Sequence, residues 1–328
     1  MTATAPLLTD HAARSRGEAI KTKTRYSAPA GLALVAMIVV VVVAAINQPA
    51  ILSVNGLTIM LTSAVPLVFA VQAQMLVMTL GDIDLSVGSL VGLITVIAAT
   101  WLVDAPLLGI ASLLGIVVVY GLLGFIIQKR NVPSIIATLG MSFVWLGIGL
   151  LILPTPGGKT PNWLNALNNW RPEWIPAPLV IIAVVTAVAY VIMHQTQFGV
   201  RARALGSSAT TLQKAGWSLT RTRVSIYALA GVLLVLSGLV LASQTQSGDV
   251  TSAGNYALIT IAAVILGGGT FSGGQAMSVG ATYGAITLTL ITVLLSFANL
   301  SSNFQSGAQG IIVLLVLSGR VITERMVR

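Results

Sequence analysis

LGDIDLSVGSLVG, residues 80–92, places two carboxylates, Asp82 and Asp84, in a chain otherwise almost free of charge, between an apolar run at 57–79 and another at 86–103. Two such runs joined by a short acidic turn predict a pair of membrane-crossing helices, since a hydrocarbon core of about 30 Å takes roughly 20 apolar helical residues to cross. Of the 328 residues, 56% are hydrophobic and 8% charged, which excludes an ordinary soluble domain. Working outward from the turn gives about ten candidate spans, near 29–46, 57–79, 86–103, 106–127, 134–153, 178–193, 224–243, 255–269, 276–297 and 305–320. The predicted fold is all-α: a polytopic membrane helix bundle at 29–328 behind a basic tail at 1–28.

The basic residues test that count, because cytoplasmic loops hold the excess of Lys and Arg. Ten spans put both termini on one side. With both termini cytoplasmic, that side collects Arg14, Arg16, Lys21, Lys23, Arg25, Lys129, Arg130, Arg201, Arg203, Lys214, Arg221, Arg223, Arg320, Arg325 and Arg328, leaving Lys159 and Arg171 outside. Topology and anionic headgroups account for the net charge of +9 without any nucleic-acid partner. The N-terminal basic tail and apolar run resemble a signal peptide, but the run is longer than a usual h-region, so it is expected to stay as a first helix.

Chemistry is sparse. Cysteine is absent, and His11 and His194 have no ligand partners near them in sequence, so no metal site is expected. PGGKT, residues 156–160, ends like a phosphate-binding loop but has Leu153 where that loop needs its first Gly. LGGGTFSGG, residues 266–274, lacks the Lys and hydroxyl pair. No nucleotide cofactor and no catalytic set follow; the glycines instead permit a sharp reversal pressed against another backbone. Trp163, Trp170 and Trp174 in the Pro-rich outer segment 154–177 fit an interfacial belt or a docking surface. Gly88 and Gly92, and Gly280 and Gly284, have the spacing that lets membrane helices approach closely.

Two features carry function. Asp84 and Ser86 are good N-cap residues for the third span, whose positive end favours a carboxylate; alternatively Asp82 and Asp84 line a substrate or proton path, as ionisable groups at membrane depth usually do. The inner loop 194–223 holds a short segment, Ser208 to Ala215, bounded by Gly206 and Gly216. It reads either as a knob for a partner protein's groove or as an interfacial helix.

GDIDLSVGS, residues 81–89, resembles the Gly-Gly-Ile-Asp-Leu-Ser-Val-Gly-Ser signature of the permease subunits of bacterial ABC importers for monosaccharides, the ribose, xylose and galactose type, with Asp82 in place of the second Gly. ALGSSATTLQKAGW, residues 204–217, keeps the spacing of that family's cytoplasmic segment. Gly206 and Gly216 match it, Ser208 stands for Asn, Thr211 and Leu212 for two Ala, and Trp217 for Ile. The likeness continues through YALAGVLLVLSG, LITIAAVILGGGTFSGG and GIIVLLVL to the C-terminus. The resemblance implies a transport subunit, not an enzyme, in the bacterial inner membrane. Its implied partners are a second permease chain, cytoplasmic ATP-binding subunits and an extracytoplasmic sugar-binding protein, and the Gly206–Gly216 loop is the implied coupling element. Alternating access, driven by the ATPases, then moves the sugar without chemical change.

A sugar path should offer amides and hydroxyls. Gln72 and Gln74 in the second span, with Asn131, Ser134 and Thr138 at the start of the fifth, are the candidates; the two glutamines share a face only if the helix is broken, which Pro66 and Gly81 make possible. A branched-chain amino-acid ABC permease and an ion-coupled secondary transporter using Asp82 or Asp84 are the competing readings. On this reading Asp84→Ala is damaging, and Asp82→Gly, which restores the signature, is tolerated.

Overall fold

The computed structural model describes residues 31, 33–46, 48–170, 172, 174–297, 304, 307, 308, 310, 311 and 318. The tail 1–28 and nearly all of the expected last span lie outside them. Among the described residues the regular structure is helical, apart from one bridged residue pair, Gly157 and Gly248. Helix α1 is Ala33–Ile46; α2, Val54–Thr62, is joined at Ser63 to α3, Ala64–Thr79, with a bend of 46°. Next come α4, Val87–Ala99, its short continuation α5, Trp101–Asp104, and the long α6, Pro106–Arg130, and α7, Ser134–Ile152. Beyond the short α8, Asn162–Asn168, follow α9, Ala177–Gln195, α10, Gln197–Ser207, α11, Ala209–Lys214, and α12, Leu219–Thr245. The half-length α13, Tyr256–Leu266, and α14, Ser278–Phe297, complete the set.

Six helical stretches are long and apolar enough to cross a membrane, or seven with the bent α2–α3 pair as one. Ten were expected; of the other three, 29–46 and 305–320 are only partly or barely covered by the described residues, and the predicted span at 255–269 holds only the eleven residues of α13, flanked by non-helical backbone. Such backbone survives at membrane depth only when protein buries it. Residues 246–255 meet this condition in part: Gly248, Val250 and Ala253 are buried along α4, where a Cβ on Gly92 would overlap the Val250 carbonyl oxygen and one on Gly88 that of Ala253, while Gln246, Thr251, Ser252, Gly254 and Asn255 are exposed. The expected small-residue spacing thus serves contact with a turn segment at Gly88 and Gly92, and contact with helix α13 at Gly280 and Gly284.

Every residue of α3 is buried, as a helix apolar all round should be at the centre of a bundle. The bend above it follows from Pro66, which has no N–H to offer the Thr62 carbonyl one turn back. Helix α12 repairs the loss: Gln244 Nε2 donates to Thr62 O at 2.8 Å, and Ser237 Oγ donates to Pro66 O at 2.7 Å. Gln244→Met is expected to cost about 1–2 kcal/mol by orphaning that carbonyl, read as a lower unfolding temperature in detergent.

Helices α6 and α12 pack antiparallel, Gly124 against the Tyr227 ring and Gly231 against Tyr120. This puts Lys129 and Arg130 at the end of the bundle where Arg221 and Arg223 begin α12, next to Arg201, Arg203 and Lys214. Lys159 lies at the opposite end, its N–H on Ala99 O. The described basic residues are therefore sorted by end as expected of a membrane protein.

Candidate functional site

Residues 80–86 form a turn in which Leu80, Asp82, Asp84 and Ser86 are buried and Gly81 is exposed. Gly81, at φ +80°, adopts a left-handed conformation that L side chains resist, and so lets the chain leave α3. The turn's backbone groups find partners on α7: Ile83 N–H donates to Ser134 Oγ at 3.2 Å and Leu85 N–H to Thr138 Oγ1 at 3.1 Å. Its carboxylates find theirs on α6 and α12. Tyr120, ten residues from the end of α6, and Tyr227, eight into α12, place those partners about 12–15 Å from the basic helix ends. The turn thus lies at the basic end of the bundle, against Ser134, the first residue of α7, with its carboxylates reaching further in.

Asp82 is ion-paired, with Arg223 Nε 3.2 Å from its Oδ2, and Tyr227 donates to the same oxygen at 3.2 Å. The carboxylate is 7% exposed. The expected tolerance of Asp82→Gly does not fit this geometry, because the substitution strands a mostly buried guanidinium. Asp84, 1% exposed, accepts from Ser86 N–H and Ser86 Oγ, both at 2.8 Å, and from the Tyr120 hydroxyl. The predicted helix cap is corrected in form. Ser86 is the N-cap of α4 but makes no side-chain cap bond, and Asp84 holds Ser86 itself instead of the first-turn amides. Asp84→Asn keeps one acceptor oxygen and is expected to cost about 1–2 kcal/mol; Asp84→Ala orphans the buried Ser86 N–H and should cost roughly twice that. Thermal unfolding of the purified variants checks the order.

The five residues expected in a path separate. Gln72 is tied across to α14, its Nε2 2.8 Å from both Ser278 O and Thr282 Oγ1. Ser134 and Thr138 are spent on the turn. Asn131 is an exposed left-handed C-cap of α6, at φ 49°, and takes no part. Helix α3 is unbroken between the glutamines, since the bend lies N-terminal to Pro66, so Gln72 and Gln74 diverge by about 200°. Gln74 is fully buried with neither amide atom hydrogen-bonded.

The expected short helix is α11. Ser208 caps it by accepting from Thr211 N–H at 3.3 Å, Gly216 ends it at φ +77°, and Leu212, fully buried, anchors it. Ala209, Thr210, Thr211, Gln213 and Lys214 are exposed. Trp217 packs beside it with the Arg201 guanidinium 5.2 Å from the ring centroid. Gly206 does not bound this helix; it lies inside α10, against the end of α3. A Cβ there would overlap Thr79 O and come within 2.5 Å of Gly274 N, the group that donates to Thr79 O at 2.8 Å. Gly273 meets Gly81 in the same place. Three backbones, at Gly81, Gly206 and Gly273–Gly274, thus converge one residue before Ser207 and two before the cap of α11.

Sequence reasoning missed Tyr120, Tyr227 and Arg223. The signal was available, since two carboxylates at membrane depth each demand a partner, and these are polar residues set into long apolar helices.

An apolar bundle with its carboxylates saturated, and a small anchored helix presented at its basic end, defines a membrane transport component, with no His, Cys, Asp or Glu cluster able to hold a metal among the described residues. The chain belongs to the family described as branched-chain amino acid transport system / permease component, which it matches over residues 56–317. It is 31% identical over 301 residues to the probable ABC transporter permease protein YphD of Escherichia coli K12, covering 89% of this chain and 90% of that protein. It is 30% identical to the ribose import permease RbsC of the same organism, over 87% and 91% of the two chains. To RbsC of Bacillus subtilis it is 30% identical over 85% and 88%. No solved structure matches it. The resemblance first seen in residues 81–89 therefore extends along most of the chain, which is an ABC permease subunit of the bacterial inner membrane.

Proposed function

We propose that this chain is the membrane-spanning subunit of an ABC importer that passes a monosaccharide, delivered by an extracytoplasmic binding protein, into the cell at the expense of ATP hydrolysed by partner subunits. On this reading the bundle has about ten spans, both termini and the basic end face the cytoplasm, and a second permease chain completes the path. Helix α11 is then the docking knob for an ATPase, held by Leu212 and offering its exposed polar face. The observation that carries the reading is that both buried carboxylates are already engaged. Asp82 is paired with Arg223 and Asp84 is saturated by hydroxyl and amide donors, so neither carboxylate is left for ion coupling. What remains unpartnered at the centre of α3 is amide, in Gln72 and Gln74, which suits a polyol and sets no full charge against those of an amino acid.

The test is uptake of labelled ribose and galactose by proteoliposomes holding the complex purified from its host with its ATPases and binding protein. ATP-dependent sugar uptake is expected. Uptake of leucine instead would favour the amino-acid reading, and uptake without ATP that is lost in the Asp82→Asn, Asp84→Asn double variant would favour the ion-coupled one.

A further inference from the structure

The start of α4 and the start of α14 are versions of one motif. Ser86-Val87-Gly88-Ser89-Leu90-Val91-Gly92 and Ser278-Val279-Gly280-Ala281-Thr282-Tyr283-Gly284 share Ser, Val and both glycines at the same spacing. Each helix follows a buried helix and a Gly-bearing turn, α3 in one case and α13 in the other. In each, the glycines press on backbone carbonyls: Gly88 and Gly92 on those of Ala253 and Val250, Gly280 and Gly284 on those of Gly267 and Ala263.

The two starts differ in how the serine is satisfied. Ser86 Oγ has Asp84 at 2.8 Å and Tyr120 at 2.9 Å. At the second start the position of Asp84 is taken by Ala276, and Ser278 Oγ, on a residue 1% exposed, has no hydrogen-bond partner. Across from it the fully buried Gln72 spends its Nε2 on Ser278 O and Thr282 Oγ1 and leaves its Oε1 unpartnered as well. Thr186 of α9 closes the group, 2.8 Å from Thr282 Oγ1. Orphaned buried polar atoms cost about 1–3 kcal/mol each. Two of them beside the same α14 start, where the sister start is fully bonded, are what a binding site looks like before its ligand arrives.

We propose that the start of α14 is a hydroxyl-binding subsite on the translocation path, where a sugar hydroxyl donates to Gln72 Oε1 and exchanges a hydrogen bond with Ser278 Oγ, the role Asp84 plays for Ser86 at the start of α4. The subsite rests on the monosaccharide reading above. No charged side chain is part of it, so it recognises a neutral polyol.

Ser278→Ala is the direct test, because it removes only an unpartnered hydroxyl and should leave folding unchanged or improved. Ribose and galactose uptake by the reconstituted complex is expected to fall about tenfold, the loss of one good hydrogen bond, with unaltered unfolding temperature. Since the chain has no cysteine, Ser278→Cys also gives a single thiol. Its labelling by a small methanethiosulfonate reagent during turnover should be slowed by sugar-loaded binding protein and not by the empty one. Wild-type sugar uptake with Ser278→Ala equally active and Ser278→Cys unprotected overturns the subsite alone. Absence of wild-type sugar uptake overturns the reading on which it rests.

Discussion

Asp82→Gly, which would restore the glycine of the resembled signature, is expected to destabilise the chain by about 3 kcal/mol, and Arg223→Gln in the same molecule to recover most of that loss. Removing one partner of a buried ion pair costs roughly 3–5 kcal/mol, because the other charge stays behind without compensation. The Arg223 side chain is 16% exposed, so part of its charge can reach water and the lower end applies. The substitution also takes an acceptor from Tyr227, whose hydroxyl is buried between α6 and α12. Arg223→Gln keeps a polar head at the same place on α12 and withdraws the stranded charge. Single and double variants unfolded in one detergent form a double-mutant cycle, in which residues in contact show interaction energies of about 0.5–3 kcal/mol. Equal stability of Asp82→Gly and the parent chain would mean that the Arg223 contact contributes nothing and that the departure from the signature is incidental.

The same pair shows where sequence reasoning ran out. Asp82 and Asp84 stand out in a chain with so few charges, and the apolar runs around them make the hairpin legible without a structure. Their partners are not legible. Arg223 lies at the start of α12, where a basic residue is what the topology rule predicts at any helix entering from the cytoplasm, so its pairing was hidden behind a general expectation. Tyr120 carries no periodic signal on a helix that is apolar nearly throughout. The half-length α13 was hard to see for a related reason. Hydropathy does not report helicity, and the predicted span 255–269 runs on from a turn segment, 246–255, of which Val250 and Ala253 pack against Gly92 and Gly88. Only the glycines betray the close contact, and their spacing reads equally well as helix packing. Pro66 did announce a break, but which side of it bends is decided by which group donates to the freed Thr62 carbonyl, and that is Gln244, nearly two hundred residues away in the chain.

Gly206 is the position where a single methyl group should cost the most function. It lies two residues before Ser208, the cap of α11, and its missing side chain lets α10 rest on the carbonyl oxygen of Thr79 and the amide of Gly274. Those two groups are bonded to each other at 2.8 Å, and Gly273 beside them touches Gly81. The end of α3, the 267–277 turn and the stalk of α11 are therefore one contact. If α11 docks an ATPase as proposed, its displacement reaches both turns through this contact, without any long side chain in between. Overpacking usually costs about 1–3 kcal/mol, and here the atoms in the way are backbone, which cannot rotate aside, so the upper end is expected. Gly206→Ala should lower ATP-dependent uptake about tenfold and Gly206→Val about 100-fold, with the chain still inserted and still recovered with its ATPases. ATP hydrolysis by those variants should lose its response to loaded binding protein, because the knob remains while its link to the bundle is strained. Gly216 supplies the control: its φ is +77° but a Cβ there meets nothing within 4 Å, so Gly216→Asn, which tolerates the left-handed region, should transport normally. If Gly206→Val transports as well as Gly216→Asn, the convergence of the three backbones has no part in coupling, and α11 must act on the bundle through Leu212 and α12 instead.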